Sequence, residues 1–167
     1  ELYEVDRESK IDSLKELRPK YKTRAGRTVY GGGGITPDIY LPFKNSINSE
    51  TGKVLRNPKR PFFNFASHYS SNHQNEFNSF SEFKNNWSVT PDVLDSFFIH
   101  LAKDSINFIQ DSLLKDSAYI QNRLKSELAG AIWGKNESTN IRLQFDNQVV
   151  GALKHFNEAD AFIKSID

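Results

Sequence analysis

Cysteine is absent from the 167 residues. That removes any disulfide framework, any thiolate nucleophile and every thiolate zinc site. Methionine is absent as well, and the first residue is Glu1; we expect a piece of a longer polypeptide from which an upstream part, with any signal peptide, has been removed. No apolar run approaches the roughly 18 to 20 residues that a membrane-spanning helix needs. The densest one, Phe97-Phe98-Ile99, ends at His100. Nor does one sign of charge dominate: 22 Lys and Arg stand against 21 Asp and Glu, which leaves no excess to drive counterion release from a nucleic-acid backbone. We expect neither a nucleic-acid partner nor a membrane span.

What the chain does have is phenylalanine. Thirteen Phe, six Tyr and two Trp accompany 26 % charged residues and a mean hydropathy of −0.61, a combination that describes a folded protein with a Phe-rich core and a charged surface. The length suits one ordinary domain, or a small domain with part of another attached.

Along the chain the pattern changes twice. Residues 1–20 are charged, and Leu2, Val5, Ile11, Leu14 and Leu17 allow a short helix that Pro19 stops. From Tyr21 the pattern is extended: two short strands flank Ala25-Gly26, a third is expected at 39–41, and the run Gly31 to Gly34 lets the backbone take positive φ or approach a neighbour closely. Residues 43–60, with Asn, Ser, Gly52 and Pro58 and few apolar anchors, read as a loop joining two units. Beyond it the signal is helical. Phe62, Phe65, Ala66 and Tyr69 share one face, and Phe77, Phe80 and Phe83 recur every three residues in a stretch that is either helix or anchored loop. Thr90-Pro91-Asp92 supplies a capping hydroxyl, a proline at the first helical position and a carboxylate at the positive end of the dipole. Val93, Leu94, Phe97, Phe98 and Leu101 form its buried stripe. A further helix runs from about Asp116 to Gly134, which fits a C′ glycine, and a last one over 138–166 with Ile141, Phe145, Val149, Ala152, Leu153, Phe156, Ala159 and Ile163 at the 3.6-residue period. The expected class is α+β and predominantly α. Its parts are residues 1–42 with short strands, a linker at 43–60, and a helical domain over 61–167.

No complete active site emerges from the residues themselves. Gly34 leads into Ile35-Thr36-Pro37 rather than into a lysine and a helix, so the glycine run fits neither a phosphate-binding loop nor a dinucleotide fingerprint. His68, His73, His100 and His155 include no pair at i, i+4 spacing, and no metal or other cofactor is expected. Ser81 with Lys84 and Ser112 with Lys115 have the spacing of a hydroxyl and an amine base, but neither lies in a glycine-bounded turn; both read as surface pairs. Asn86-Trp87-Ser88 and Asn136-Glu137-Ser138 match the glycosylation acceptor pattern, which short sequences often do by chance. Arg24, Arg27 and Asp38 read as turn and strand-end residues.

The stretch Tyr21-Lys-Thr-Arg-Ala-Gly-Arg-Thr-Val-Tyr-Gly-Gly-Gly-Gly-Ile-Thr-Pro-Asp-Ile resembles the T-x-x-G-R-x-V-Y-x-G-G-G-I-x-P-D segment of the C-terminal processing peptidases, also called tail-specific proteases. Tyr119-Ile-Gln-Asn-Arg-Leu-Lys-Ser-Glu-Leu-Ala, Trp133-Gly and Asp146-Asn-Gln-Val-Val-Gly-Ala-Leu resemble the helical tail of the family's envelope-located bacterial branch. The similarity is closest over 21–42 and weaker after residue 90. It implies an endopeptidase that uses a serine nucleophile with a lysine general base and selects proteins by their C-terminal ends through a PDZ domain. It also implies a periplasmic or cell-envelope location. Both catalytic residues precede this segment in the family, so no catalytic position carries over to this chain, which is expected to be inert alone. Gly26, Arg27, Gly33, Gly34, Ile35, Pro37 and Asp38 match the motif, with an architectural role implied. Partners implied are protein or peptide substrates of the parent enzyme; separately, the long amphipathic helix over 138–166, whose Phe145, Phe156 and Phe162 exceed what so small a domain buries, leads us to expect assembly with further copies of the chain. The alternative reading is a stand-alone helical interaction or oligomerisation module.

Overall fold

A computed structural model of the chain describes residues 17–24, 26–32, 37, 39–44, 47–73 and 76–164, the last three of these by backbone alone. The described residues form two short strands, β1 (Lys20–Lys22) and β2 (Thr28–Tyr30), and α-helices α1 (Ser49–Leu55), α2 (Pro61–Asn72), α3 (Phe80–Asn86), α4 (Pro91–Lys103), α5 (Gln110–Lys115), α6 (Ser117–Ile132), α7 (Lys135–Leu143), α8 (Asn147–Leu153) and α9 (Phe156–Lys164). The class is α+β and predominantly α. Residues 45–146 make one compact unit; residues 1–44 and 147–167 make the other. No described helix is long and apolar enough to cross a membrane.

In the 45–146 unit, α4 begins as its sequence predicts: Thr90 Oγ1 accepts from the Val93 N–H at 3.4 Å, with Pro91 and Asp92 in the first turn. Val93, Leu94, Phe97, Phe98 and Leu101 are its buried residues. Against them α2 sets Phe62 and Phe65, whose rings lie 4.8 and 5.4 Å from that of Phe97, the second edge-on. The helix closes in a Schellman arrangement, with the Ser105 N–H donating to the Ala102 carbonyl and the Ile106 N–H to Leu101. Ser105 pays for this with a left-handed φ of 55°, a conformation that disfavours any Cβ. Ser105→Gly should therefore raise the unfolding free energy by about 0.5 to 1 kcal/mol; urea unfolding checks this, and an unchanged or lower midpoint would contradict the strain.

A second cluster centres on Phe83 of α3. Phe77, Trp87 and Trp133 place their ring centroids 5.1, 4.8 and 5.1 Å from it, while Ala66, Leu128, Ala129 and Ile141 complete the buried set. The stretch that read as helix or anchored loop is both: α3 holds Phe80 and Phe83, and Phe77 precedes it. Lys125 on α6 donates from Nζ to the carbonyls of Lys84 and Trp87, closing the C-terminal end of α3 where a cation is favoured. Its partial burial lowers the ammonium pKa. α6 and α7 approach closely because small residues face each other: the buried Ser126 hydroxyl meets the Ser138 carbonyl at 3.1 Å and its hydroxyl at 3.0 Å, and Gly130 lies beside Ser138 Cβ. Gly134 ends α6 at φ 116°, a positive-φ position for the glycine that the sequence set there.

Two expectations are corrected. The linker at 43–60 contains α1, with Thr51, Gly52 and Val54 buried. Its turn-rich composition hides a cap: Asn48 Oδ1 accepts from the Glu50 and Thr51 amides, its Nδ2 donates to the Ser112 carbonyl, and its own N–H to Asp116 Oδ2. The cap holds the start of this helix, and Val54 anchors its end in the main apolar core, with Leu55 packed against it. The single helix over 138–166 is three, α7, α8 and α9, with turns at 144–146 and 154–155. Of its expected stripe Ile141 is buried, whereas Phe145 and Phe156 are exposed. Hydrophobic period alone cannot register a turn that preserves the repeat. The division at 146 also means that the span 61–167 is shared between the two units.

Candidate functional site

Two places gather the residues that the sequence singles out. The first is the β1–β2 hairpin in the unit of residues 1–44 and 147–167. The strands pair antiparallel with Lys20 opposite Tyr30, Tyr21 opposite Val29 and Lys22 opposite Thr28. Gly26 takes φ 76° and donates its N–H to the Thr23 carbonyl, while Thr23 Oγ1 accepts from the Arg27 N–H at 3.1 Å. Positive φ before the second strand is the bulged-turn geometry that glycine permits, so the motif's Gly26 and Arg27 close the loop through their backbones. Arg24 is exposed at the turn. Gly31 packs so closely on the Tyr21 ring that an added Cβ would clash, and Gly32 lies at φ 76°. Pro37 is exposed; Gly33, Gly34, Ile35 and Asp38 lie outside the described residues, as does the helix expected before Pro19 except for Leu17 and Arg18, which are not helical.

No strand forms at 39–41 among the described residues. The backbone there is bound instead by side chains of α8: Asn147 Nδ2 donates to the Pro42 carbonyl, Gln148 Nε2 to Leu41, and the Lys44 N–H to Asn147 Oδ1. Leu41 presses against Gly151, leaving no room for a larger residue. Yet none of the residues of this unit whose side chains are described is buried, and Tyr21, Phe43, Leu153 and Phe156 are each more than half exposed.

The second place is a cleft of about 530 Å³ between α2 and α4. It brings together His68, His73 and His100, which the sequence leaves scattered, because residues 100 and 68 sit on packed neighbouring helices. Buried Phe65 and Val93 also line it. The His73 ring stacks on Tyr69 at 3.9 Å with the planes 7° apart, and its Nδ1 lies 2.8 Å from the Tyr69 carbonyl as a donor. His100 packs its edge on Phe65 and points Nε2 at Asp104 Oδ2, 3.5 Å away. His155 belongs to the other unit, 3.3 Å from Glu158. Among the described residues no group of three or more His, Asp or Glu could hold a metal ion.

Burial raises the Tyr69 phenol pKa above its ordinary 10.0, and the nearby Glu76 carboxylate adds to the rise. The folded pKa then exceeds the unfolded one, so the contribution to stability is full below pH 10.0 and is lost as the pH climbs through the folded value. Tyrosine absorbance at 295 nm should show one phenol ionising late, in step with a loss of stability. Tyr69→Phe should remove both; a late component surviving in that variant would contradict the assignment.

The serine–lysine pairs form no dyad. Ser81 is exposed on α3 and Ser112 half-buried on α5. The Lys84 carbonyl accepts from Lys125 and the Ser112 carbonyl from Asn48, and neither serine hydroxyl bonds an amine among the described residues.

A family model described as a family of unknown function (DUF8443) matches residues 54–134, from the end of α1 to the glycine after α6. The matched span contains the α2–α4 cleft and most of the aromatic core but not the hairpin. No curated protein and no solved structure matches the chain.

Proposed function

We propose that this chain is the non-catalytic C-terminal segment of a carboxyl-terminal processing serine endopeptidase of the periplasm or cell envelope. The parent enzyme cleaves proteins recognised by their C-terminal ends with a serine nucleophile and a lysine base, both supplied by polypeptide outside these residues. One observation supports the reading: the described first half of the segment that resembles the peptidase motif pairs as a hairpin, in a unit where none of the residues whose side chains are described is buried. An isolated two-stranded hairpin is marginal in water, so such a unit is suited to completing a larger sheet. The segment's role is fold completion, and the chemistry, which needs hydroxyl, desolvated amine and oxyanion donors in mutual reach, belongs to the remainder. The test is the gene: the reading frame should continue upstream of Glu1 with a glycine-bounded serine and, later, a lysine. A frame that opens near Glu1 would overturn the reading.

The alternative, a helical interaction module that assembles with further copies, has its own support in α8 and α9, where Val150, Leu153 and Phe156 are exposed at 39, 59 and 65 %. Light scattering separates the two: a monomer at high concentration opposes self-assembly and leaves the peptidase reading intact.

A further inference from the structure

The cleft between α2 and α4 has two electrical ends. Its wall on α4 begins with Asp92 in the first turn of the helix and finishes with His100 and Lys103 in the last. The steps from residue 92 to residue 103, at about 1.5 Å each, set the acid and the lysine about 16 Å apart along the axis. Neither of these two side chains has a hydrogen bond or ion pair among the described residues: the main-chain carbonyl of Asp92, not its carboxylate, receives the Ser96 hydroxyl. His100, by contrast, directs its Nε2 at Asp104.

Between the poles the lining is apolar. Phe65 and Val93 are buried, and Ile99 is left 57 % exposed. We propose that the cleft binds a short free peptide in extended form, with its terminal ammonium at Asp92, its terminal carboxylate at Lys103 and its apolar side chains against Phe65, Val93 and Ile99. An extended chain advances about 3.3 to 3.6 Å per residue, so about three to five residues span the two charges once the reach of the lysine is allowed for.

Other ligand classes use only part of this arrangement. A phosphate or a nucleic-acid strand would gain from Lys103 and be repelled by Asp92. An aliphatic acid would lay an apolar chain against the Asp92 carboxylate, and an uncharged apolar molecule would leave both charges without a partner. A segment inside a longer protein offers apolar side chains but neither terminal charge. The dipole of α4 accounts for an acid at its start and cations at its end; it does not account for an apolar cleft that joins them. The cleft volume of about 530 Å³ falls within the range of sites that hold small ligands. The inference concerns α2 and α4 alone and does not depend on the peptidase reading.

The probe is the tetrapeptide Val-Phe-Ala-Val with both termini free, titrated into the 167-residue chain and followed by isothermal calorimetry. Saturable binding is expected. Acetylation of the peptide's amino end and amidation of its carboxyl end should each weaken it about fivefold, the effect of losing one exposed ion pair. Variants then locate the two pairs. Asp92→Asn should erase the effect of acetylation and leave that of amidation, and Lys103→Gln should do the converse. Ser96→Trp, which places an indole in the cleft between the poles, should abolish binding. Helical circular dichroism checks that each variant is folded, and the two charge variants decide the matter if Ser96→Trp is not. Absence of binding, equal binding of the doubly blocked peptide, effects of acetylation and amidation that persist in both charge variants, or undiminished binding by a folded Ser96→Trp would each overturn the proposal.

Discussion

Phe83→Ala should lower the unfolding free energy of the 45–146 unit by about 3 to 5 kcal/mol. The ring is 1 % exposed and is the common neighbour of Phe77, Trp87 and Trp133. It also lies 5.6 Å beneath the Lys125 ammonium. Truncation forfeits the transfer energy of the ring and leaves a cavity that its neighbours cannot fill, since each belongs to a different anchored segment. Urea unfolding followed by circular dichroism should show a lower midpoint at unchanged slope. A loss below about 1 kcal/mol would mean that the aromatic cluster collapses freely onto the vacancy.

Gly130→Leu acts in the opposite sense, by excess volume, and should cost about 1 to 3 kcal/mol. A Cβ built at Gly130 already stands 3.2 Å from Ser138 Cβ, tighter than side chains ordinarily approach. A leucine there must push α7 away from α6. That displacement also separates Ser126 from Ser138, whose contact satisfies a hydroxyl buried at 1 % exposure. Gly130→Ala should cost less than Gly130→Leu. Equal midpoints for the three proteins would show that the helices do not need their close approach.

The helices most readable in the sequence are those whose signals are local and redundant. α4 has cap, proline, carboxylate and stripe in one stretch of chain, and α6 has both its period and its terminal glycine. α1 was hidden because its cap, Asn48, is tied to Ser112 and Asp116, more than 60 residues away in sequence; no window of local pattern contains them. The segment at 39–41 reads as strand from its Ile and Tyr content, yet no strand forms there among the described residues, and Gln148 takes the Leu41 carbonyl while Asn147 holds Pro42 and Lys44 just beyond. The α2–α4 cleft was invisible for a related reason: its three imidazoles come together only when the helices pack. The hairpin, by contrast, was legible down to the turn, because Gly26 announces the positive φ that the bulge requires.

The account turns on chemistry assigned to polypeptide beyond these 167 residues. The most direct measurement incubates the purified chain with an unstructured protein bearing an apolar C-terminal tail and follows peptide-bond cleavage, alongside labelling by a serine-directed phosphonate. The account predicts no turnover and no label. Cleavage that disappears on Ser81→Ala or Ser112→Ala would contradict it.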